Sequence, residues 1–259
     1  MGGKAMSYLL GNAPLDLTSL AAGGSPQYNS ATKQFEVVPK YGGAYFYTAA
    51  AGAPTAIVID TANLYHGIYL TSLSINASGW THKAGARAVV DSVADNGTGT
   101  ILCTTNAAHG FAPGDYICHT GFAVRTTYRG KYKVLTTPLT TTYTVARAFE
   151  TATDAGFATR AFSLRANTGS AGMYLLTFSC SMQCDSATTD IRIEANLNAT
   201  DLDNIASQNL FGTQNRPGCL FSSGIITVAD DDVVYCSIKN LTDAADVKVW
   251  LANLYVARL

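Results

Sequence analysis

Apolar and polar residues alternate with a period of two in several long stretches of this chain. Helical periodicity is absent, which predicts an all-β fold. The clearest pattern lies at the C-terminal end. Val234, Cys236 and Ile238 alternate with Tyr235, Ser237 and Lys239. After a polar turn at 240–246, Val247, Val249, Leu251 and Tyr255 alternate with Lys248, Trp250, Ala252, Leu254 and Val256. This last strand is apolar on both faces and runs into Leu259, so it is expected inside a sheet, with one face covered by another chain. Residues 172–184 predict a long strand with Tyr174, Leu176, Phe178 and Cys180 on one face and Leu175, Thr177 and Ser179 on the other. Residues 191–197 set Ile191, Ile193 and Ala195 opposite Arg192 and Glu194, residues 204–218 read as a polar loop, and 219–228 supplies another strand.

Upstream, strands are expected at 35–38, where Pro39 stops the run, and at 44–48, 55–59 and 68–75, with an irregular segment at 63–67. Residues 86–161 have a different texture. Short strands at 89–93, 100–105, 116–119, 131–136 and 142–146 are punctuated by Gly-rich turns at 96–99 and 109–115, as in a small β-barrel or sandwich. The flanking stretches 35–85 and 162–259 together give about eight strands, which favours a jelly-roll sandwich of two antiparallel sheets. No Pro- or Ser-rich linker separates 86–161 from its flanks, so that stretch reads as a domain inserted in a loop of the jelly roll. Residues 1–34 read as an irregular arm broken by Gly2, Gly3, Gly11, Gly23, Gly24, Pro14 and Pro26. Its apolar residues Tyr8, Leu9, Leu10, Leu15, Leu17 and Leu20 either cover one end of the main domain or dock into another protein.

Composition sharpens this picture. Charged residues make up 14% of the 259, against a typical ~25%, so buried interfaces between chains are expected. The net charge of −1 and the lack of a basic block argue against binding nucleic acid through phosphates. No apolar run approaches ~18 residues, so no membrane span is expected, and the N-terminus lacks the basic and apolar regions of a signal peptide. The six cysteines form no C-x-x-C pair and have no zinc-like histidine spacing; they read as buried free thiols suited to a reducing compartment.

Catalytic chemistry is hard to assemble from these residues. Neither G-x-S-x-G nor H-E-x-x-H occurs. His109, in a Gly-rich turn, reads as a cap of backbone groups, and His82 and His119 as structural. Cys118 and His119 are adjacent in a strand, so their side chains point to opposite faces and form no dyad. Asp230, Asp231 and Asp232, with Asp201 and Asp203, could ligate Ca²⁺, or form a solvated turn at the start of a strand. The carboxylates are too scattered for a glycosidase pair. No catalytic residue, metal or cofactor is expected.

Gly172-Met173-Tyr174 followed by a long apolar strand, and Ser223-Gly224-Ile225-Ile226 leading through Asp230-Asp231-Asp232 into residues 233–239, resemble the C1q/TNF-like trimeric jelly rolls. Where that family has Gly-Asp before its penultimate strand, this chain has Asp-Asp. The version resembled is that of tailed-phage virion proteins. Gly79-Trp80-Thr81-His82-Lys83-Ala84-Gly85 is similar to a segment before the insertion there. His109-Gly110, Gly114-Asp115 and residues 128–134 resemble a small β module of phage structural proteins. The resemblance covers residues 35–259. It implies a homotrimer with the Gly-x-Tyr sheet near the three-fold axis, and Tyr174, Phe178, Tyr235, Trp250 and Tyr255 at core or axis. It further implies a non-enzymatic virion protein made in the host cytoplasm: a capsid decoration, cement or head-fibre protein, anchored by its arm to a major capsid or tail protein. The alternative is a tail-fibre or tail-tip protein recognising host surface glycans on loops near Asn204 to Arg216, where Phe211 is the one aromatic. A glycan-cleaving enzyme ranks last.

Overall fold

The computed structural model describes residues 55–59, 62–71, 79–150, 154–186, 188–212 and 217–259 in full, and the backbone alone of 8–10, 13–15, 25–29, 34–38, 41–47 and 74–77. Apart from a 3-10 turn at Thr126–Tyr128, every regular element among the described residues is a strand. The fold is all-β.

Strands β1 (Tyr8–Leu10), β2 (Ala13–Leu15), β3 (Ser25–Asn29) and β4 (Gln34–Val38) form a small sheet in the order β1-β2-β4-β3. Short strands therefore occur inside the stretch expected to be irregular. Phe35 to Val38, expected as the first jelly-roll strand, pairs instead with β2 and β3.

The main body is a jelly-roll sandwich. Its front sheet has the order β20-β17-β22-β5-β8, where β5 is Tyr41–Tyr47, β8 Ser74–Ala77, β17 Gly172–Cys184, β20 Gly218–Val228 and β22 Val247–Arg258; β6 (Thr55–Ile57) also pairs with β22. Its back sheet has the order β19-β18-β21-β16-β9, where β9 is Trp80–Lys83, β16 Ser163–Ala166, β18 Thr189–Leu197, β19 Thr200–Phe211 and β21 Val233–Asn240; β7 (His66–Gly67) also pairs with β21. The two inner faces share one core. Tyr174, Leu176, Phe178, Cys180 and Met182 of β17 and Leu254 and Val256 of β22 face Ile191, Ile193, Val234, Cys236 and Ile238 of the back sheet. Alternation along β17 holds from Tyr174 to Cys184, as the sequence predicts, because its inward residues share one core with the back sheet.

Two departures from the sequence pattern have clear causes. In β22, Ser181 pairs with Leu251 and Met182 with Val249, so Trp250 has no partner on β17. This bulge reverses the parity of the strand. Val247 and Val249 point inward before it; Ala252, Leu254 and Val256 do so after it, while Leu251 and Tyr255 turn outward. The polar stretch expected as a loop from Asn204 is instead most of β19, an edge strand in which Ile205 and Phe211 are the buried residues. An edge strand half out of contact with the core carries few apolar residues, so its sequence reads as a loop.

Between β9 and β16 the chain forms a closed barrel, β10-β11-β14-β13-β12-β15, with β10 Ala86–Asp95, β11 Thr100–Thr105, β12 Tyr116–Thr120, β13 Gly130–Leu139, β14 Thr142–Ala146 and β15 Gly156–Arg160. Closure leaves no edge. Its core is separate and includes Val90, Ile101, Phe122, Tyr128, Val134, Tyr143 and Val145. The barrel lies on the outer face of the back sheet: Tyr116 of β12 stacks on Tyr235 of β21, with ring centroids 6.3 Å apart. Residues 233–238 are consequently buried on both sides. The joint is backbone against backbone. A Cβ on Gly67 would lie 2.9 Å from the Ala161 nitrogen, and one on Gly85 would collide with the Tyr69 backbone.

Candidate assembly surface

The outer faces of the two sheets differ in chemistry. The back sheet carries polar and charged groups beneath the barrel. Glu194 is fully buried; its Oε2 accepts from the Tyr65 hydroxyl and from Arg192 Nε at 3.1 Å. Arg192 also pairs with Asp203 at 2.5 Å. Lys131 of β13 crosses from the barrel to donate to Asn196 Oδ1 and to Asp201. Asn196 Nδ2 donates to Ser237 Oγ at 2.9 Å. Burial lowers the Lys131 pKa, and burial together with the Glu194 carboxylate raises that of Tyr65. A second tie is built on Asp115, which accepts from Lys83 of β9, from Arg160 Nη1 at 2.6 Å and from the Ala112 N–H at 2.9 Å. Arg160 also donates to the Ala84 carbonyl. Glu194 and Asp115 are out of water but paired, the condition under which buried ions persist, while Asp203 and Asp201 reach solvent at the rim.

The front sheet's outer face has the opposite character. Phe221 is 60% exposed, Ile225 56%, Met173 52%, Tyr255 43% and Leu175 37%. The register sets Leu175 between Ile225 and Ala257, Thr177 between Ser223 and Tyr255, and Ser179 between Phe221 and Asn253. Those rows contain no carboxylate, histidine, lysine or arginine, so they present apolar and uncharged polar side chains to solvent. These side chains are exposed side by side on one face of the sheet.

Of the five aromatics expected at core or axis, three are accounted for inside one chain. Tyr174 is buried in the sandwich, edge-on to Trp80 at 5.2 Å, and donates its hydroxyl to the Ser170 carbonyl at 2.6 Å; Phe178 is buried beside Phe162. Tyr235 lies under the barrel. Their parity points them away from the front outer face. Tyr255 reaches that face, and Trp250 sits half-buried on the bulge, donating its indole N–H to Gln183 Oε1 at 3.2 Å. Sequence reasoning missed Met173, Leu175, Phe221 and Ile225. The signal for them was present: the second face of the Gly-x-Tyr strand carries Met and Leu where a solvated face would carry charge. Leu17 and Leu20 lie outside the described residues; of Tyr8, Leu9, Leu10 and Leu15 the backbone pairing of β1 with β2 is described.

The groups considered for chemistry are occupied structurally. Asp230 accepts from the Gly169 and Ala171 N–H groups, which hold its pKa below the ordinary carboxylate value, and Asp232 accepts from Ala229 N and Asn198 Nδ2. Among the described residues no group of three or more His, Cys, Asp or Glu side chains could hold a metal ion. His109 accepts from the Phe111 N–H and its Nε2 lies 3.2 Å from the Thr142 carbonyl, pinning the 109–115 turn to the β13–β14 hairpin. His119 is buried in the barrel against the Tyr143 hydroxyl at 2.8 Å, and burial lowers its pKa to about 4. Five cysteines are buried and Cys219 is exposed on the front face. Burial pushes the Cys118 thiol up to about 11 and Cys103 up to about 12, far from the depressed values of nucleophilic thiols. Phe211 is buried beside Gly218, so it offers no open ring to a sugar; residues 213–216 of the expected glycan loop lie outside the described residues. Among the described residues no helix is long and apolar enough to cross a membrane.

No protein-family model matches the chain, and no curated protein matches it. Among solved structures it is similar to one described as the structure of the infectious bursal disease virus Gx strain, with 7% sequence identity over 85% of this chain and 70% of that chain and a TM-score of 0.26.

Proposed function

We propose that this chain is a non-enzymatic structural protein of a virion, that three copies assemble through the outer face of the front sheet, and that residues 1–34 anchor the assembly to a major capsid or tail protein. The observation that carries the assembly is the exposed, uncharged face built by Leu175, Phe221, Ile225 and Tyr255, on the same sheet as the Gly-x-Tyr strand. The resemblance to the C1q/TNF-like jelly rolls of tailed-phage virions supplies the trimer and the virion setting. Burying about 1,500 Å² per protomer at ~25 cal/mol per Å² gives tens of kcal/mol gross, from which association and side-chain ordering subtract a large part. Electrostatics contributes little on a face without charges.

Light scattering at micromolar concentration tests the assembly: a mass of three chains is expected, and a mass near 27.3 kDa, that of one chain, overturns it. Deleting residues 1–34 tests the anchor. The truncated protein is expected to remain trimeric and to lose binding to purified shells or tails; retained binding would remove the arm from the reading.

A further inference from the structure

Lys131 of β13 leaves the barrel and reaches the outer face of the back sheet, where its Nζ donates to both Asn196 Oδ1 and Asp201 Oδ1. We propose that Lys131 and Asn196 join in an intramolecular isopeptide bond that ties the barrel covalently to the sandwich and releases ammonia, with Asp201 carrying the protons.

Register brings the three side chains together. Glu194 and Asn196 are two apart on β18 and so share its outer face, while Ala195 between them packs in the sandwich core. Asp201 is the ladder partner of Asn196 across the β18–β19 hairpin, so carboxylate and amide stand side by side under one ammonium. Polarity fixes which way the amide points. Its Nδ2 donates to the Glu194 carbonyl at 3.1 Å and to Ser237 Oγ at 2.9 Å. A carbonyl only accepts and an ammonium only donates, so Oδ1 must face Lys131. A nitrogen in hydrogen-bond contact with Oδ1 lies beside Cγ, close to the ~3–3.5 Å separation of a near-attack pair.

Amide aminolysis is slow in water because the amine is protonated, water competes, and charge builds on the carbonyl oxygen. This site opposes each. Lys131 keeps 9% of its side chain exposed and Asn196 is fully buried, so little water reaches the carbonyl. Burial lowers the Lys131 pKa, helped by Lys239 and opposed by Cys118, Glu194 and Asp203, which raises the share of free amine. Lys239 also supplies positive charge for the developing oxyanion: it lies 4.5 Å from the centroid of the Tyr65 ring that Lys131 approaches to 4.1 Å. Asp201 touches Nζ and is the ladder partner of the amide, the place a proton carrier must occupy.

The step balances without a co-reactant. Asp201 takes a proton from the Lys131 ammonium, and the freed lone pair forms the Nζ–Cγ bond while the carbonyl π pair moves onto Oδ1. Asp201 then gives its proton to Nδ2. The pair on Oδ1 re-forms the C=O bond, the Cγ–Nδ2 bond breaks, and its electrons leave on ammonia. The second proton that Nζ sheds passes through the same carboxylate to the ammonia, which departs as ammonium. Nothing is oxidised or reduced. Like a disulfide, the bond restricts the unfolded chain, but no reductant opens it; the six cysteines of this chain are free.

The inference is independent of the trimer and of the virion setting. Intact-mass spectrometry of the denatured full chain is expected to give the sequence mass less one ammonia. A tryptic digest is expected to contain a branched peptide joining the Lys131 segment to the Asn196 segment, which separates this bond from an asparagine closing on its own backbone with the same loss. Lys131→Arg keeps the charge, removes the nucleophile and is expected to show the full mass. Asp201→Asn is expected to slow linking about 100-fold, read as growth of the linked mass after purification; a variant already fully linked when purified overturns the proton route. Separate Lys131 and Asn196 peptides in the wild-type digest overturn the inference whether or not either variant folds. Loss of water in place of ammonia, the mark of a Lys131–Asp201 amide, overturns it equally.

Discussion

The two outer faces of the sandwich solve the same problem by different chemistry. The back face is polar, holds a fully buried carboxylate, and is covered by a barrel of its own chain, whose Lys131, Arg160 and Asp115 satisfy or tie its charges. The front face is apolar and uncharged along its centre, and its described residues Phe221, Ile225 and Tyr255 are exposed. A permanent intramolecular cover can use ion pairs, because the partners are tethered and always present. A cover supplied by a separate molecule has no tether, and burial of apolar area is then the dependable driving force, since it needs no exact pairing of charges. On the function proposed above, the contrast assigns assembly to the front sheet and rigidity to the back.

Breaking the back face is expected to have the largest effect. Asp115→Ala leaves Arg160 and Lys83 without their shared carboxylate and is expected to cost about 3–5 kcal/mol, the usual range for removing one partner of a buried pair; urea unfolding measures it, and a loss below about 1 kcal/mol would mean the tie is not holding the barrel. Acid sharpens the comparison next. The folded-state pKa of His119 is lowered from 6.5 to about 4, so between those values the unfolded chain binds more protons than the folded one. Stability from this group is complete above pH 6.5 and is lost as pH falls toward 4, on the order of 3 kcal/mol in all. His119→Gln should flatten that slope, while the front face, with no carboxylate, histidine, lysine or arginine in its central rows, should keep its association through the same range; mass and unfolding midpoint against pH separate the two.

On the front face, Phe221→Asp combined with Ile225→Asp is expected to dissociate the assembly to single chains and to change urea stability of the protomer by no more than about 0.5 kcal/mol, the usual scale for exposed positions. A collapse in folding would instead place these residues in the protomer's own core. The smallest perturbation leaves stability untouched. In the dissociated double variant, a maleimide should react at once with Cys219 and slowly with the five buried cysteines; in the wild-type assembly Cys219 should join the slow class. Equal rates in both proteins would mean that nothing covers this face.

Much of this contrast was legible in the sequence, and the parts that were not share a cause. The period-two pattern of residues 172–184 gives β17 and its two faces correctly, and the Gly-punctuated strands after residue 86 give a small all-β body, because both depend on local chemistry. The outward turn of Tyr255 was hidden by an unpaired Trp250, since a bulge shifts parity without altering composition. β19 was hidden because an edge strand has little core to face. The Tyr65–Glu194–Arg192 network was out of reach because Tyr65 is far from the other two in the chain; Glu194 reads locally as the solvated side of a strand, yet it is fully buried with Tyr65 on its carboxylate.

Ala86 and Arg160, the first and last strand residues of the barrel, are ladder partners, so their Cα atoms lie about 5 Å apart. A two-residue turn could therefore close the sandwich in the barrel's absence without moving either flanking strand. Geometrically the barrel is an exchangeable cartridge with adjacent terminals. Its socket is not inert, however: any replacement must bring its own counterpart of Lys131 and its own surface for Tyr235 and Glu194, or the exposed carboxylate and rings must be redesigned with it. Grafting a foreign module at this joint is thus a problem of matching the socket, with chain connectivity already solved.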